Sequence, residues 1–338
     1  MRFRLLLAAA GLALALFLLP PPEQAAPAIR SHPAMATLVA IKLYVEEEEA
    51  GPFAAAAFAE IDRIDSLMSR HSPASELSRI NRLAARQPLA VSPEMALVLE
   101  RSQHFAALSG GAFDITIGPV SRLWDFPEAR VPPDSARIDS ALALVGYERL
   151  ALRDGQVRFQ GEGIYLDLGG VAKGFAVDRA VDRLQAAGVS CGLVDAGGNI
   201  RFWGRKPDGW PWRLGVQHPR DPGQYIEAED IGLPALATSG DYEQFFEYRG
   251  GRFHHLLDPA TGYPARRAAS ATVWAETAMD ADILSTAVFV LGPERGLELI
   301  EALPRTEALV FFEQGGELRH RVSSGLEGRL QFKSAEIQ

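Results

Sequence analysis

Cysteine is almost missing from this chain of 338 residues: Cys191 is the only one. An intrachain disulfide is therefore excluded. Cys191 reads either as a reactive thiol or as a small residue buried at the entry to a strand, the commoner fate of a free cysteine. Both common nucleotide motifs are missing too. No G-x-x-x-x-G-K-[ST] occurs, because Gly174 follows Lys173 instead of preceding it, and no G-x-G-x-x-G occurs. No basic run survives beyond the N-terminus, which argues against nucleic acid and against an anionic membrane surface as partners. Linkers, repeats and low-complexity stretches are likewise missing after residue 28.

What the N-terminus does contain is a short basic start, Arg2 and Arg4, and an apolar run from Leu5 to Leu19 that is short for a membrane span. Pro20-Pro21-Pro22 breaks that run, and Ala26-Pro27-Ala28 offers a processing site. Residues 1–28 read as a secretory signal peptide. The alternative is an uncleaved anchor that holds the chain at the inner membrane. No cysteine follows the apolar run, so a lipoprotein anchor is excluded. An exported protein without disulfides fits a periplasmic location. Residues 29–338 suffice for one large domain or two intimate ones, and one large domain is expected. Setting aside Arg2, Arg4 and Glu23 takes the formal charge from −9 to −10.

Residues 37–45 are β-branched and apolar, a strand. Phe53, Ala57, Ile61, Ile64 and Met68 recur at helical spacing. A helical turn is expected over 75–81. Ser92-Pro93-Glu94 combines an N-cap, a proline at the first helical position and a first-turn acid, and Gly110-Gly111 ends that helix. Another helix is expected over 134–145. From residue 148 the chain turns β-rich. A hairpin about Asp154-Gly155 joins 150–152 to 157–159. Strands are expected at 164–168, 192–203, 212–217, 243–248, 252–257 and 270–276. Helices are expected at 173–187, at 278–291 and again from Pro293, before a hairpin of 307–312 with 317–322. Strands and helices do not alternate strictly, so the fold class is α+β, not a doubly wound sheet.

The chemistry concentrates in two stretches. Asp167-Leu168-Gly169-Gly170-Val171-Ala172-Lys173-Gly174 places a glycine-rich turn and a lysine after an apolar segment. Lys173 opens a helix, the wrong end for a cation, unless an anion lies nearby. A solvated lysine after an ordinary turn is the competing reading. In Ala281-Asp282-Ile283-Leu284-Ser285-Thr286, Asp282 and Thr286 stand four apart, on one helix face, and offer oxygens to a hard cation. A helix-start acid and a threonine bonded to its own i−4 carbonyl would look the same. His254 and His255 are adjacent in a strand, so they point to opposite sides and cannot chelate one metal from one face. Either histidine is a candidate general base, a core or surface histidine being the commoner alternative; should His255 not serve, Asp241 is next, and His254 is expected to tolerate substitution. Ala112-Phe113-Asp114 and Ser239-Gly240-Asp241-Tyr242 are turn-like clusters, each with an acid and an aromatic that could stack on a flat ring or anchor the core.

Taken in order, these blocks resemble the ApbE family of FAD:protein FMN transferases. The resemblance is carried by Met35-Ala36-Thr37, Met68-Ser69 through Asn81, Gly111 to Thr116, Asp167 to Asp178, Gly197-Gly198-Asn199, Thr238 to Tyr242, His255 to Pro264, and Ala281 to Gly292. It covers roughly residues 33–312. Three positions depart from the family pattern. His71 stands where a phenol is usual, Ala36 replaces a glycine, and Gly170 replaces a small side chain.

The resemblance implies a T-fold-like single domain of mixed, largely antiparallel sheets with flanking helices. It implies FAD as substrate and Mg²⁺ held by Asp282, Thr286 and the Gly170 carbonyl. Met35, His71, Ala112, Phe113, Asp114, Asp167, Lys173, Tyr242, His255 and Leu256 would line the FAD site. Lys173 would clamp phosphate and His255 would take a proton. The implied reaction moves FMN from FAD to a threonine hydroxyl of a partner protein and releases AMP. The acceptors would be subunits of membrane redox complexes carrying a Ser/Thr-containing motif. Two other functions use the same residues: hydrolysis of FAD to FMN and AMP, and non-catalytic binding of flavin by an exported protein.

Overall fold

The strands of the main sheet lie side by side in the order in which they occur in the chain. They are Ala28–Ala34, Thr37–Leu43, Gly192–Ala196, Asn199–Trp203, Ala235–Gly240, Ser270–Ala275, Glu307–Gln314 and Glu317–Val322, and every pairing is antiparallel. The computed structural model describes residues 27–334 except 127, 129, 222 and 230. The signal peptide expected over 1–28 therefore lies outside the described residues up to 26. Among the described residues no helix is long and apolar enough to cross a membrane.

Side-chain alternation sends the two faces of the sheet to different cores. Val39, Ile41, Val194, Val273 and Val310 face the helical layer. Leu236, Trp274, Leu309 and Phe311 face the other side, where a small sheet of Arg213–Gln217, Gln224–Glu229 and Leu330–Ser334 covers them. In the helical layer, helix Glu47–Met68 packs against helix Ala172–Ala186, which packs against helix Ala278–Glu301. Ile61 and Ile64 are fully buried there, each contributing about 1.5–3 kcal/mol of apolar burial. A third cluster joins Trp124 to Phe246 and Phe253 of the hairpin Phe245–Tyr248/Gly251–His254.

The helix signals are realised. Ser75 and Ser92 accept from the backbone N–H of Ser78 and Met95 and cap helices Glu76–Leu83 and Pro93–Leu108. The expected helix 134–145 forms as Ser135–Leu142. The apolar spacing from Phe53 underestimates its helix, which begins at Glu47. Gly292, with φ of 80°, breaks the long helix ahead of Pro293, where a second helix was expected.

Four expectations need correction. Residues 192–203 are two strands, because Gly197 and Gly198 both take positive φ and turn the chain back on itself. Residues 164–168 are extended but form no strand. Leu166 spends both backbone groups on the Asn81 amide, and the Asp167 N–H goes to the Ile115 carbonyl. Ser239-Gly240 is no turn but the end of the central strand Ala235–Gly240. The strand expected over 252–257 ends at His254, so His255 and Leu256 follow it.

Candidate active site

Two helices build the centre of the site by exchanging bonds. Helix Ala172–Ala186 begins where Gly170 and Val171 leave the extended segment, and Gly174 lies against helix Ala278–Glu301. In an uninterrupted helix the Gly174 N–H would bond the Gly170 carbonyl. Here it donates instead to Asp282 Oδ2 at 2.9 Å, which leaves the Gly170 carbonyl without a backbone partner among the described residues. A Cβ on Gly170 would stand 3.3 Å from Thr286 Oγ1 and 3.1 Å from Phe113 Cε2. Gly170, Asp282, Thr286 and Phe113 therefore converge.

Asp282 is buried, and that burial pushes its carboxyl above the ordinary range against the opposing charge of Lys173 and the Gly174 N–H. Its Oδ1 has no hydrogen-bond partner among the described residues. Thr286 Oγ1 donates to the Asp282 carbonyl at 3.3 Å and lies 3.4 Å from Ser239 Oγ, which also meets Ser285 Oγ at 2.9 Å. The free carboxylate oxygen, the unpaired carbonyl and the hydroxyl fit a hard cation. Among the described residues no group of three or more His, Cys, Asp or Glu could hold a metal. One acid and two neutral oxygens suit Mg²⁺, which keeps waters and takes further oxygens from phosphate.

Lys173 is half-buried and donates to the Gly169 carbonyl at 3.2 Å. His255 follows the hairpin strand, with its N–H donating to the Gln244 carbonyl and Nδ1 3.4 Å from the same oxygen. His255 is half-buried, and loss of water around it, together with the charge of Lys173, pushes its pKa down to about 4. It is therefore neutral at physiological pH, as a base must be. His254 turns the other way. It is buried edge-on to Phe289, with Nε2 2.8 Å from the Ala265 carbonyl, and burial lowers its pKa as well.

Asp167 accepts from Gly169 N–H at 3.0 Å, from Ser121 Oγ at 2.7 Å and from Arg70 at 3.0 Å. Arg70 also donates to the exposed His71 ring at 3.3 Å, so His71 joins the site through that guanidinium. Tyr242 is half-buried with its ring over Gly240, and burial pushes its phenol up to about 12. Ala112 and Phe113 are buried. The Asp114 carboxylate turns inward instead and accepts from the Thr116 N–H and hydroxyl at 2.7 and 2.6 Å. Leu256 is buried, with its carbonyl taken by Ala265. Met35 sits at the first hairpin turn, its N–H bonded to Asp65 Oδ2. Asp241, the reserve base, is held by both arms of Arg220 at 2.7 Å.

Sequence reasoning did not find Arg70, Ser121 or the Ser239–Ser285 pair. Arg70 and Ser121 are isolated polar residues whose meeting with Asp167 is purely tertiary. Asp178 was noticed only as the end of a motif. It is buried, and its burial pushes the carboxyl up to about 6 against the pull of Arg201 and two backbone N–H groups.

The fold is that of a transferase family. A curated relative from Vibrio cholerae serotype O1, named FAD:protein FMN transferase, is 38% identical over 252 residues, 72% of this chain and 75% of that protein. A relative of the same name from Treponema pallidum is 33% identical over 332 residues, 91% of this chain and 90% of that protein. Among solved structures, the flavin transferase ApbE of Vibrio cholerae matches with a TM-score of 0.79 at 31% identity, covering 89% of this chain and 98% of that one. The ApbE protein of Thermotoga maritima matches with a TM-score of 0.80 at 33% identity, covering 90% and 99%. This chain belongs to the ApbE family, which it matches over residues 35–310.

Proposed function

We propose that this protein transfers FMN from FAD to a threonine hydroxyl of a partner protein, with Mg²⁺, and releases AMP. The observation that carries the reading is the convergence of Gly170, Asp282 and Thr286 beside Lys173. Bound to oxygens of these three residues, Mg²⁺ would neutralise charge on the pyrophosphate, the main catalytic need in phosphoryl transfer. Lys173 holds a phosphate oxygen by charge. The neutral His255 imidazole takes the proton of the threonine hydroxyl as its oxygen bonds to the FMN-side phosphorus. The anhydride bond to AMP breaks, and AMP leaves with the bonding pair. Phe113, beside Gly170, offers an aromatic face near the flavin half.

The acceptors fit subunits of membrane redox complexes with a Ser/Thr-containing motif, and the basic start with its apolar run supports an exported, periplasmic protein. The test is incubation with FAD, Mg²⁺ and a candidate acceptor, followed by intact-mass analysis. The acceptor should gain the mass of one FMN less water and AMP should appear in equal amount. AMP with no modified acceptor would instead support FAD hydrolysis.

A further inference from the structure

The N-terminus of helix Ala278–Glu301 has its own local cap, since Thr277 Oγ1 accepts from the Asp280 N–H at 3.1 Å. A carboxylate also reaches it from another helix. Asp178 accepts from the Ala278 N–H through Oδ1 and from the Met279 N–H through Oδ2, both at 2.9 Å. Arg201, on strand Asn199–Trp203, donates to the same Oδ1 at 2.9 Å. Asp178 is 7% exposed. Burying a carboxylate is costly, and Thr277 Oγ1 serves only the Asp280 N–H, so the buried Ala278 and Met279 N–H groups fall to Asp178.

Geometry supplies the reason. Gly174 and Asp178 stand four apart on one face of helix Ala172–Ala186, and both meet the second helix. At Gly174 the first helix gives a backbone N–H to the Asp282 side chain. At Asp178 the exchange is reversed, and the first helix gives a side chain to the backbone of the second. These three bonds fix both the rotation and the height of one helix against the other. Lys173 and the Gly170 carbonyl belong to the start of the first helix, Asp282 and Thr286 to the second.

We infer that Asp178 is a positioning residue for the metal site, locking the helix of Asp282 and Thr286 against the helix of Lys173 through the Ala278 and Met279 N–H groups. This rests on the Mg²⁺ reading of Asp282 and Thr286. Groups that orient metal ligands from behind typically change metal affinity by about 10–100-fold when altered.

The test measures Mg²⁺ binding directly, by calorimetry with Mg²⁺ alone and by electron paramagnetic resonance with Mn²⁺. Asp178→Asn should weaken Mg²⁺ binding by about 10–100-fold, with an unchanged far-ultraviolet spectrum and faster amide exchange at Ala278 and Met279. Thr277→Ala removes the local cap only. It should lower the melting temperature and leave Mg²⁺ affinity within about 2-fold, since the lock between the helices is retained. A folded Asp178→Asn protein that binds Mg²⁺ as the parent does overturns the inference, and so does an equal loss in Thr277→Ala. If Asp178→Asn does not fold, Asp178→Glu, which keeps the charge but displaces the carboxylate, takes its place with the same expected loss. Failure of both to fold assigns Asp178 to folding alone and overturns the role. A parent protein that binds no Mg²⁺ sinks the metal reading itself.

Discussion

Gly174 and Asp282 touch in a way that only glycine permits. The Gly174 N–H reaches Asp282 Oδ2 at 2.9 Å, and a Cβ at position 174 would lie 2.8 Å from Asp282 Cβ and closer still to the Ala278 carbonyl oxygen. The neighbours are helix backbone, which cannot swing aside as a flexible side-chain end could. Gly174→Ala should therefore force the two helices apart at a cost of about 1–3 kcal/mol. Urea unfolding together with Mg²⁺ titration checks this. A variant with unchanged stability and Mg²⁺ affinity would show that the contact is loose.

Asp282→Asn should abolish Mg²⁺-dependent turnover and keep the fold. The amide oxygen can still accept from the Gly174 N–H, so what is lost is the charge that draws a dication. Thr286→Val should be milder, because water can replace a neutral ligand. Turnover against Mg²⁺ concentration, with circular dichroism as control, is the measurement. Full Mg²⁺-dependent activity in Asp282→Asn would exclude Asp282 as a ligand.

His255→Ala should slow FMN transfer by at least about 10²-fold, the ordinary effect of losing a positioned base, with FAD affinity little changed. His254→Ala is not the neutral control that adjacency in a strand suggests. Its ring fills space against Phe289 and bonds the Ala265 carbonyl, so removal should destabilise the fold by about 1–3 kcal/mol. Transfer per folded molecule should nevertheless survive. Should FAD affinity fall with His255→Ala while the rate for bound FAD holds, His255 is a binding residue.

The acid limb of kcat/KM should lie well below the usual histidine range. With His255 pushed down to about 4, its neutral form persists as pH falls from 7.5 to 5.5, and histidine protonation should not limit the rate there. The sign for stability follows. The unfolded chain takes up this proton near 6.5 and the folded chain only near 4. The contribution is thus present above 6.5, declines as pH falls and is gone below about 4. A pH–rate profile with a limb at 6.5 in the parent, absent from a variant lacking His255, would contradict the depressed value.

Ala36→Gly should stabilise the protein by about 0.5–1 kcal/mol. Met35 and Ala36 form the turn between the first two strands with φ of 51° and 58°. A side chain is strained there by about 1–2 kcal/mol, partly offset by the greater freedom of glycine in the unfolded chain. Chemical denaturation reads the shift, and an unchanged or lower midpoint would count against strain at this turn.

What could be read in the sequence was local. Ser75, Ser92 and Pro93 announce their helices because caps are made within one turn of chain. The central strand Ala235–Gly240 escaped notice because it is buried on both faces and, apart from Leu236, built from Ala, Thr, Ser and Gly, so it shows neither alternation nor β-branched bulk. The edge strand Ala28–Ala34 contains Arg30, Ser31, His32 and Pro33, a composition suited to an unpaired edge and poor as a strand signal. In the site, Lys173, Asp282, Thr286 and His255 were legible through motif order. The clasp of Arg70 and Ser121 on Asp167 was not, because Arg70 and Asp167 meet across 97 positions of chain.

Thr37–Leu43 lies beside Gly192–Ala196, so everything from 44 to 191 is an excursion between two neighbouring strands. Lys173 belongs to that excursion, and Asp282 belongs to another, between Ala275 and Glu307. Such distant pairings form late in folding, since closing long loops must precede any gain from contact. A working site therefore needs both excursions, drawn to the same side of the sheet.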